Sequence, residues 1–313
     1  MPGHNIGIIG AGPVGSLMAA HLARNKENIY LIDIKEELIL AIDQQGISVT
    51  GTGDNFQTQV NGTGISAAGL ACFDVNLYFI AVKFNFLDSV LDDIKKIFKP
   101  GQKILLIQNG IDNEDRAAEK LSPDDVLRFV INYAGMIVKP GTVKMSFFHP
   151  PNYIGALSDK NESLAQEIAG FISDAGLETV FTPEIKKYEW RKTILNAALM
   201  PVCATTDLTM KEAMEFEETR FLTEKILLEC IQVAKKLGYE YEADFVEKGL
   251  AYLSGAGHHK PSMSLDLEAG NPVEYVYQPI IDYGKEIGSP TPYLEALTRV
   301  VRILENQKRK SKS

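Results

Sequence analysis

Lys192 and Asn196 stand four residues apart in YEWRKTILNAAL (188–199), a stretch otherwise rich in apolar residues. Helical spacing puts the two on one face. An ammonium with an amide one turn away suits reductive chemistry. Hydride arriving at a carbonyl carbon leaves negative charge on the oxygen, which an ammonium can stabilise and protonate. Partial burial makes a lysine a stronger acid near neutrality. On helix spacing alone, a lysine snorkelling to water is the better reading, so the chemistry needs partners elsewhere in the chain.

The first partner is a hydride carrier. Gly10-Ala11-Gly12-Pro13-Val14-Gly15 fits G-x-G-x-x-G after a strand-like run, NIGII, and before a helical one. That is the context the motif requires. Gly10 permits the tight turn, Gly12 lets the backbone approach a pyrophosphate, and Gly15 lets helix and strand touch. Together with Pro13 and Val14 they form the expected cofactor loop, with helix N–H groups facing the phosphates. Asp33 closes the next strand, eighteen residues past Gly15. An acid there accepts bonds from the adenosine ribose hydroxyls and repels a 2′-phosphate, so NAD is preferred over NADP. Lys35 could contact such a phosphate, so NADP stays open.

These residues need elements to hold them. Apolar strand runs at 6–9, 29–32, 74–82, 102–110 and 125–131 alternate with helical runs at 13–24 and 85–98. The alternation predicts an α/β fold, a doubly wound, mostly parallel sheet covered by helices. The segment 133–148 turns at Lys139-Pro140-Gly141 and predicts an antiparallel extension of that sheet. A further strand is expected at 152–157 and a helix at 162–176. After Pro183 the pattern is helical, with long helices at 218–238 and 291–307. We therefore expect a dinucleotide-binding domain over 1–182 and an all-helical domain over 183–313. The tail KRKSKS (308–313) reads as solvated and basic. In open α/β sheets ligands lie beyond the carboxyl ends of the strands. Lys83 and Asn109 each follow such an end.

Composition limits the partners. The chain has 313 residues and a formal net charge of −9, which argues against a nucleic-acid surface. No apolar run is long enough to span a bilayer, and the N-terminus shows no basic region followed by an apolar cleavable segment. Cys72, Cys203 and Cys230 are few and scattered, which predicts buried thiols in a reducing compartment. A cytoplasmic location is expected. No metal-ligand spacing appears, and His258-His259 reads as loop. A homodimer is allowed but not specified.

Five separated stretches resemble the ketopantoate reductase family over nearly the whole chain: GAGPVG (10–15), AVKF (81–84), QNG (108–110), WRKTILNAALMP (190–201) and KPSMSLDLEAGNPVE (260–274). The resemblance implies a Rossmann domain followed by a helical domain, with the site between them. It implies NAD(P)H-dependent reduction of a 2-oxo acid to a 2-hydroxy acid, with ketopantoate to pantoate, in pantothenate biosynthesis, as the leading reaction. By resemblance, Lys192 is the general acid and Asn196 binds substrate. Lys83 and Asn109 sit at the cofactor–substrate junction, Ser262 binds the substrate carboxylate, and Glu274 binds its hydroxyl or supports catalysis.

Three positions depart from the family pattern. Met200 stands where a second asparagine is frequent, YVYQP (275–279) lacks an Asn-Gly, and Asp33 stands where a basic residue is more usual. A less polar pocket favours a 2-oxo acid with an apolar branch. Two other readings are therefore carried. One is a 2-hydroxyacid dehydrogenase for branched or aromatic 2-oxo acids, and the other is a dinucleotide-binding sensor without turnover.

Overall fold

The computed structural model describes residues 4–310. Two compact units divide between Tyr188 and Glu189. The first unit contains β1 (Asn5–Ile9), α1 (Pro13–Arg24), β2 (Asn28–Ile32), α2 (Glu36–Gln45), β3 (Ile47–Gly51), β4 (Phe56–Thr58), β5 (Gly62–Gly64) and β6 (Leu77–Ile80). It continues through α3 (Leu87–Lys95), β7 (Lys103–Leu106), α4 (Asn113–Lys120), β8 (Val126–Val130), β9 (Tyr133–Lys139), β10 (Thr142–Phe148), β11 (Asn152–Ala156), α5 (Glu162–Asp174) and β12 (Thr179–Phe181).

The central sheet has the order β12-β11-β8-β7-β6-β1-β2-β5. All neighbours from β5 through β8 are parallel. The strand order reverses beside β1, which is the switch point of a doubly wound sheet. Side chains alternate across it as strand geometry requires. Ile6, Ile8, Leu31, Phe79, Leu105 and Phe129 enter one core, shared with α1 and α5. Ile9, Ile32, Tyr78, Ile80, Leu106 and Val126 enter the other, with α3 and Ala117 of α4.

The hairpin at 133–148 forms with its turn at Pro140-Gly141, but it does not extend the central sheet. β9 and β10 join β3 and β4 in a second sheet of order β4-β3-β10-β9. β10 runs parallel to β3 through Val143↔Val49, and Val49, Val143 and Met145 are buried in the core that α1 shares. That apolar face packs on α1, so it cannot also lie at the central sheet's edge. The strands that run against the rest of the central sheet are β11, which pairs antiparallel with β8, and β12, which runs parallel to β11.

The helical series begins with α6 (Ile185–Thr206) and continues with α7 (Met210–Glu215), α8 (Glu217–Lys236), α9 (Phe245–Ser254), α10 (Ser262–Ala269), α11 (Gln278–Glu286) and α12 (Pro292–Lys310). The unit boundary falls inside α6, later than residue 182, because the first turn of α6 belongs to the first unit. There Tyr188 lies on Tyr153, with ring centroids 3.9 Å apart, and Lys186 bonds Asp115. In the second unit Trp190, 2% exposed, stacks on Tyr239 at 5.0 Å. The last residues of the basic tail, 311–313, lie outside the described residues. Among the described residues, no helix is long and apolar enough to cross a membrane, and no group of three or more His, Cys, Asp or Glu residues could hold a metal ion.

Candidate active site

The glycine loop is built by contacts that exclude side chains at two places and leave a third open. Gly10 has φ +106°, and a Cβ there would lie 2.8 Å from the Ala81 carbonyl carbon. A Cβ on Gly15 would lie 1.9 Å from the Gly10 oxygen. A Cβ on Gly12 would meet, beyond its chain neighbours, nothing within 4 Å among the described residues. Gly10 and Gly15 are thus fixed by packing, whereas Gly12 faces open space at the N-cap of α1. No side chain caps that helix end, Pro13 opens its first turn, and no acidic residue lies there. The N–H groups of the first turn have no partners further back in the helix, and the positive end of the helix dipole favours an anion. Tyr133 supports the same turn, its buried hydroxyl donating to the Val14 carbonyl at 3.4 Å. Burial raises the Tyr133 pKa well above the usual phenol range. The bare helix end and the open face at Gly12 fit a dinucleotide's pyrophosphate.

Asp33 lies beside this loop. One carboxylate oxygen accepts the Ala11 N–H at 2.7 Å, and the other accepts the Lys35 N–H at 2.9 Å. Its side chain therefore ties the glycine loop to the end of β2, a role that spacing alone did not assign. Each oxygen keeps a second lone pair for a hydroxyl donor. The next residue, Ile34, is 79% exposed, and Ile65 stands exposed after β5. The Asp33 N–H bonds the carbonyl of Gly64, immediately before Ile65. An isoleucine directly after an acidic strand end was the available signal for this apolar surface.

Sheet register aligns the next two residues. Ile80 pairs with Leu106, so Lys83 and Asn109 each lie three positions beyond paired strand ends. Lys83 precedes a short 3₁₀ turn, Phe84–Phe86. The Asn109 carbonyl accepts the Asn113 amide at 3.1 Å, while its own Oδ1 is buried with no hydrogen-bond partner among the described residues. An orphan acceptor of this kind suits a donor brought by a ligand.

The residue that shapes this loop is Arg128, 1% exposed in β8. Its Nη1 donates to the carbonyls of Leu106 and Phe129, both at 2.9 Å. Its Nη2 donates to the carbonyls of Gln108 at 2.6 Å and Gly110 at 3.0 Å. Its Nε faces Glu114, 0% exposed, at 3.5 Å. Both Nη atoms of the guanidinium fork thus donate to backbone carbonyls, while Nε stands in ion-pair range of Glu114, whose carboxylate accepts no hydrogen bond among the described residues. Removing one partner of such a buried pair costs about 3–5 kcal/mol. The sequence signal was one arginine inside an otherwise apolar strand.

In the second unit, α6 sets its polar residues against a buried background. Lys192 and Asn196 are half-buried, while Thr193, Ile194, Ala197 and Ala198 are buried. Met200, one turn beyond Asn196, is 6% exposed. Pro201 lies within the helix and supplies no N–H to the Ala197 carbonyl. Cys203 and Cys230 are buried, and burial pushes the Cys203 thiol up to about 12. Neither is poised as a thiolate. Cys72, expected among the buried thiols, is exposed because it ends a short surface 3₁₀ helix.

Ser262 is exposed in the first turn of α10, and Glu274 is half-buried between α10 and α11. Lys260 fastens the approach to α10, bonding Asp207 at 2.7 Å and also Glu268. Those two carboxylates, Asp207 foremost, raise the lysine's pKa. His258 and His259 lie in the preceding loop.

A glycine loop at the switch point of a doubly wound sheet is the mark of the dinucleotide-binding class of α/β domain, and a helical unit follows it in the chain. The chain belongs to the ketopantoate reductase family. The family model described as ketopantoate reductase PanE/ApbA matches residues 6–159, and its C-terminal model matches residues 184–305. Among relatives, the 2-dehydropantoate 2-reductase of Aquifex aeolicus is 26% identical over 308 residues, covering 95% of this chain and 96% of that one. The enzyme of the same name from Streptococcus pyogenes serotype M3 is 24% identical, covering 95% and 97%. A solved D-mandelate dehydrogenase, bound to NADH and anilino(oxo)acetate, superposes with TM-score 0.87 at 25% identity, covering 97% of this chain and 98% of that one. A ketopantoate reductase from Ralstonia eutropha JMP134 shares the fold with TM-score 0.87 at 22% identity, covering 97% and 99%.

Proposed function

We propose that the chain reduces a 2-oxo acid to the 2-hydroxy acid, with 2-dehydropantoate as the leading substrate and NADH as the preferred donor. The bound nicotinamide supplies the hydride. The observation that carries the reading is the half-buried pair Lys192 and Asn196 on an otherwise buried face of α6. Lys192 stabilises the growing alkoxide and gives it a proton. Asn196 orients the oxo acid, Ser262 binds its carboxylate, and Glu274 binds its hydroxyl or supports catalysis. Lys83 and Asn109 serve the nicotinamide end, and the Asn109 Oδ1, lacking a partner among the described residues, accepts a ligand donor. Gly10, Gly12, Pro13, Val14 and Gly15 form the pyrophosphate cradle. The exposed Ile34 and Ile65 offer apolar surface to the adenine. Asp33, which already holds Ala11, takes the ribose hydroxyls and disfavours a 2′-phosphate.

Met200 favours a second reading, an oxo acid with a branched or aromatic side chain, since a thioether offers an apolar wall where an amide would seek a hydrogen bond. The test is the initial rate of NADH oxidation with 2-dehydropantoate, then with branched and aromatic 2-oxo acids, each repeated with NADPH. Highest kcat/KM with 2-dehydropantoate supports the leading reading, and highest kcat/KM with an apolar acid supports the second. NADH binding by folded protein without turnover on any acid would sink both and leave a sensor.

A further inference from the structure

We propose that Arg128 is a positioning residue, clamping the loop that presents Asn109 and anchored in turn by Glu114 and Lys186. The inference rests on the role given to Asn109 above. The two carbonyls that flank Asn109, those of Gln108 and Gly110, are both held by the same nitrogen of Arg128. The carbonyl of Leu106, where β7 ends, is held by the other. The peptide frame on both sides of Asn109 is therefore set by one buried guanidinium.

The clamp does not float. Alternation along β8 sends Arg128 to the same sheet face as Val126, where α4 brings Glu114. Lys186, in the first turn of α6, lies 3.6 Å from Glu114 and bonds both oxygens of Asp115, at 2.8 and 2.6 Å. The chain of charge thus runs Asp115–Lys186–Glu114–Arg128 and ends on the loop backbone. Lysine could not replace the arginine, because an ammonium has three donors and no planar fork to span these carbonyls. A displacement of Asn109 by about 1 Å is enough to cost about 10²-fold in rate.

Arg128→Lys, Lys186→Met and Asn109→Ala, and each of the first two combined with the third, test this in the full chain. Amide hydrogen exchange at residues 108–110 reads the clamp directly. Steady-state kinetics with the best oxo acid read its consequence. In folded Arg128→Lys we expect faster exchange in the loop, kcat/KM lowered about 10²-fold, and NADH affinity changed far less. The double variant should be no worse than the poorer single variant. Lys186 is half-exposed, so Lys186→Met serves if Arg128→Lys does not fold; it should shift the same readouts in the same direction, more weakly. A purely structural role would lower the melting temperature while leaving loop exchange and kcat of the folded enzyme alone, and would overturn the proposal. So would wild-type kinetics beside an impaired Asn109→Ala, or losses in the double variant that multiply. Wild-type kinetics in Asn109→Ala would overturn the role of Asn109 and the positioning role together, and the exchange measurement tells that failure apart from failure of the clamp.

Discussion

Glycine positions that look equivalent in a motif do different work. A methyl on Gly15 collides with the Gly10 carbonyl at 1.9 Å, so Gly15→Ala must shift backbone. Such overpacking costs about 1–3 kcal/mol, and a urea titration should show it as a lower midpoint. Gly12→Ala meets, beyond its chain neighbours, no atom of the described residues within 4 Å and has an ordinary φ of −65°. It should fold normally yet bind NADH several-fold more weakly, since the methyl stands where the phosphates approach; fluorescence titration separates the two cases. Lys192 makes a different kind of claim. Lys192→Ala should lower kcat by roughly 10²–10⁴-fold, the range for a lost general acid, with NADH binding retained. Near-normal turnover would show that the lysine only snorkels.

At the scale of elements, helix ends show how local chemistry becomes visible in sequence. Thr209 accepts the Glu212 N–H while the Glu212 carboxylate accepts the Thr209 N–H, closing a capping box on α7. The Thr209 hydroxyl also donates to the Glu212 carboxylate at 2.7 Å, and that bond first, then the one from the Thr209 N–H, depresses the Glu212 pKa. Thr209→Ala should cost about 1 kcal/mol, measured by chemical unfolding at neutral pH, with kinetics unchanged. Elements with local signals were legible: α1 spans the residues its glycines and periodicity marked, and β1, β2 and β8 lie within a residue of their apolar runs. The second sheet was not legible. β10 finds β3 across the length of the first unit, and alternation in β10 announces a strand without naming its neighbour. The site followed the same rule. The glycine loop and Asp33 carry short-range signals, and a family resemblance singled out Lys192, Asn196, Ser262 and Glu274. Arg128 stands out as the lone charge in an apolar strand, but its clamp joins residues from β8, the loop after β7, and α4, so only the fold reveals what it holds.

For the molecule as a whole, pH acts through a residue far from any proposed chemistry. His21, in α1, donates from Nδ1 to the Ala175 carbonyl at 2.8 Å when neutral. Burial lowers its pKa below the usual 6.5, outweighing the bond to Ala175, which raises it. A histidine depressed in the folded state contributes stability that is full above the unfolded value, about 6.5, and is lost as pH falls through the folded value. Thermal melts should therefore fall as the pH drops from 7 toward the folded value. In His21→Gln the slope over that window should flatten; an unchanged slope would assign the acid sensitivity to other groups.

Helix α1 touches strands of both sheets, and seven of its twelve residues are buried. The helix end proposed to take the pyrophosphate is thus immobilised before a ligand arrives. Little conformational entropy is therefore lost at α1 itself on binding. Calorimetry with ADP-ribose, which lacks the nicotinamide, should then show most of the dinucleotide's affinity and a small heat-capacity change. The adenosine half would act as a fixed handle, leaving adjustment to the end that carries the reacting carbon.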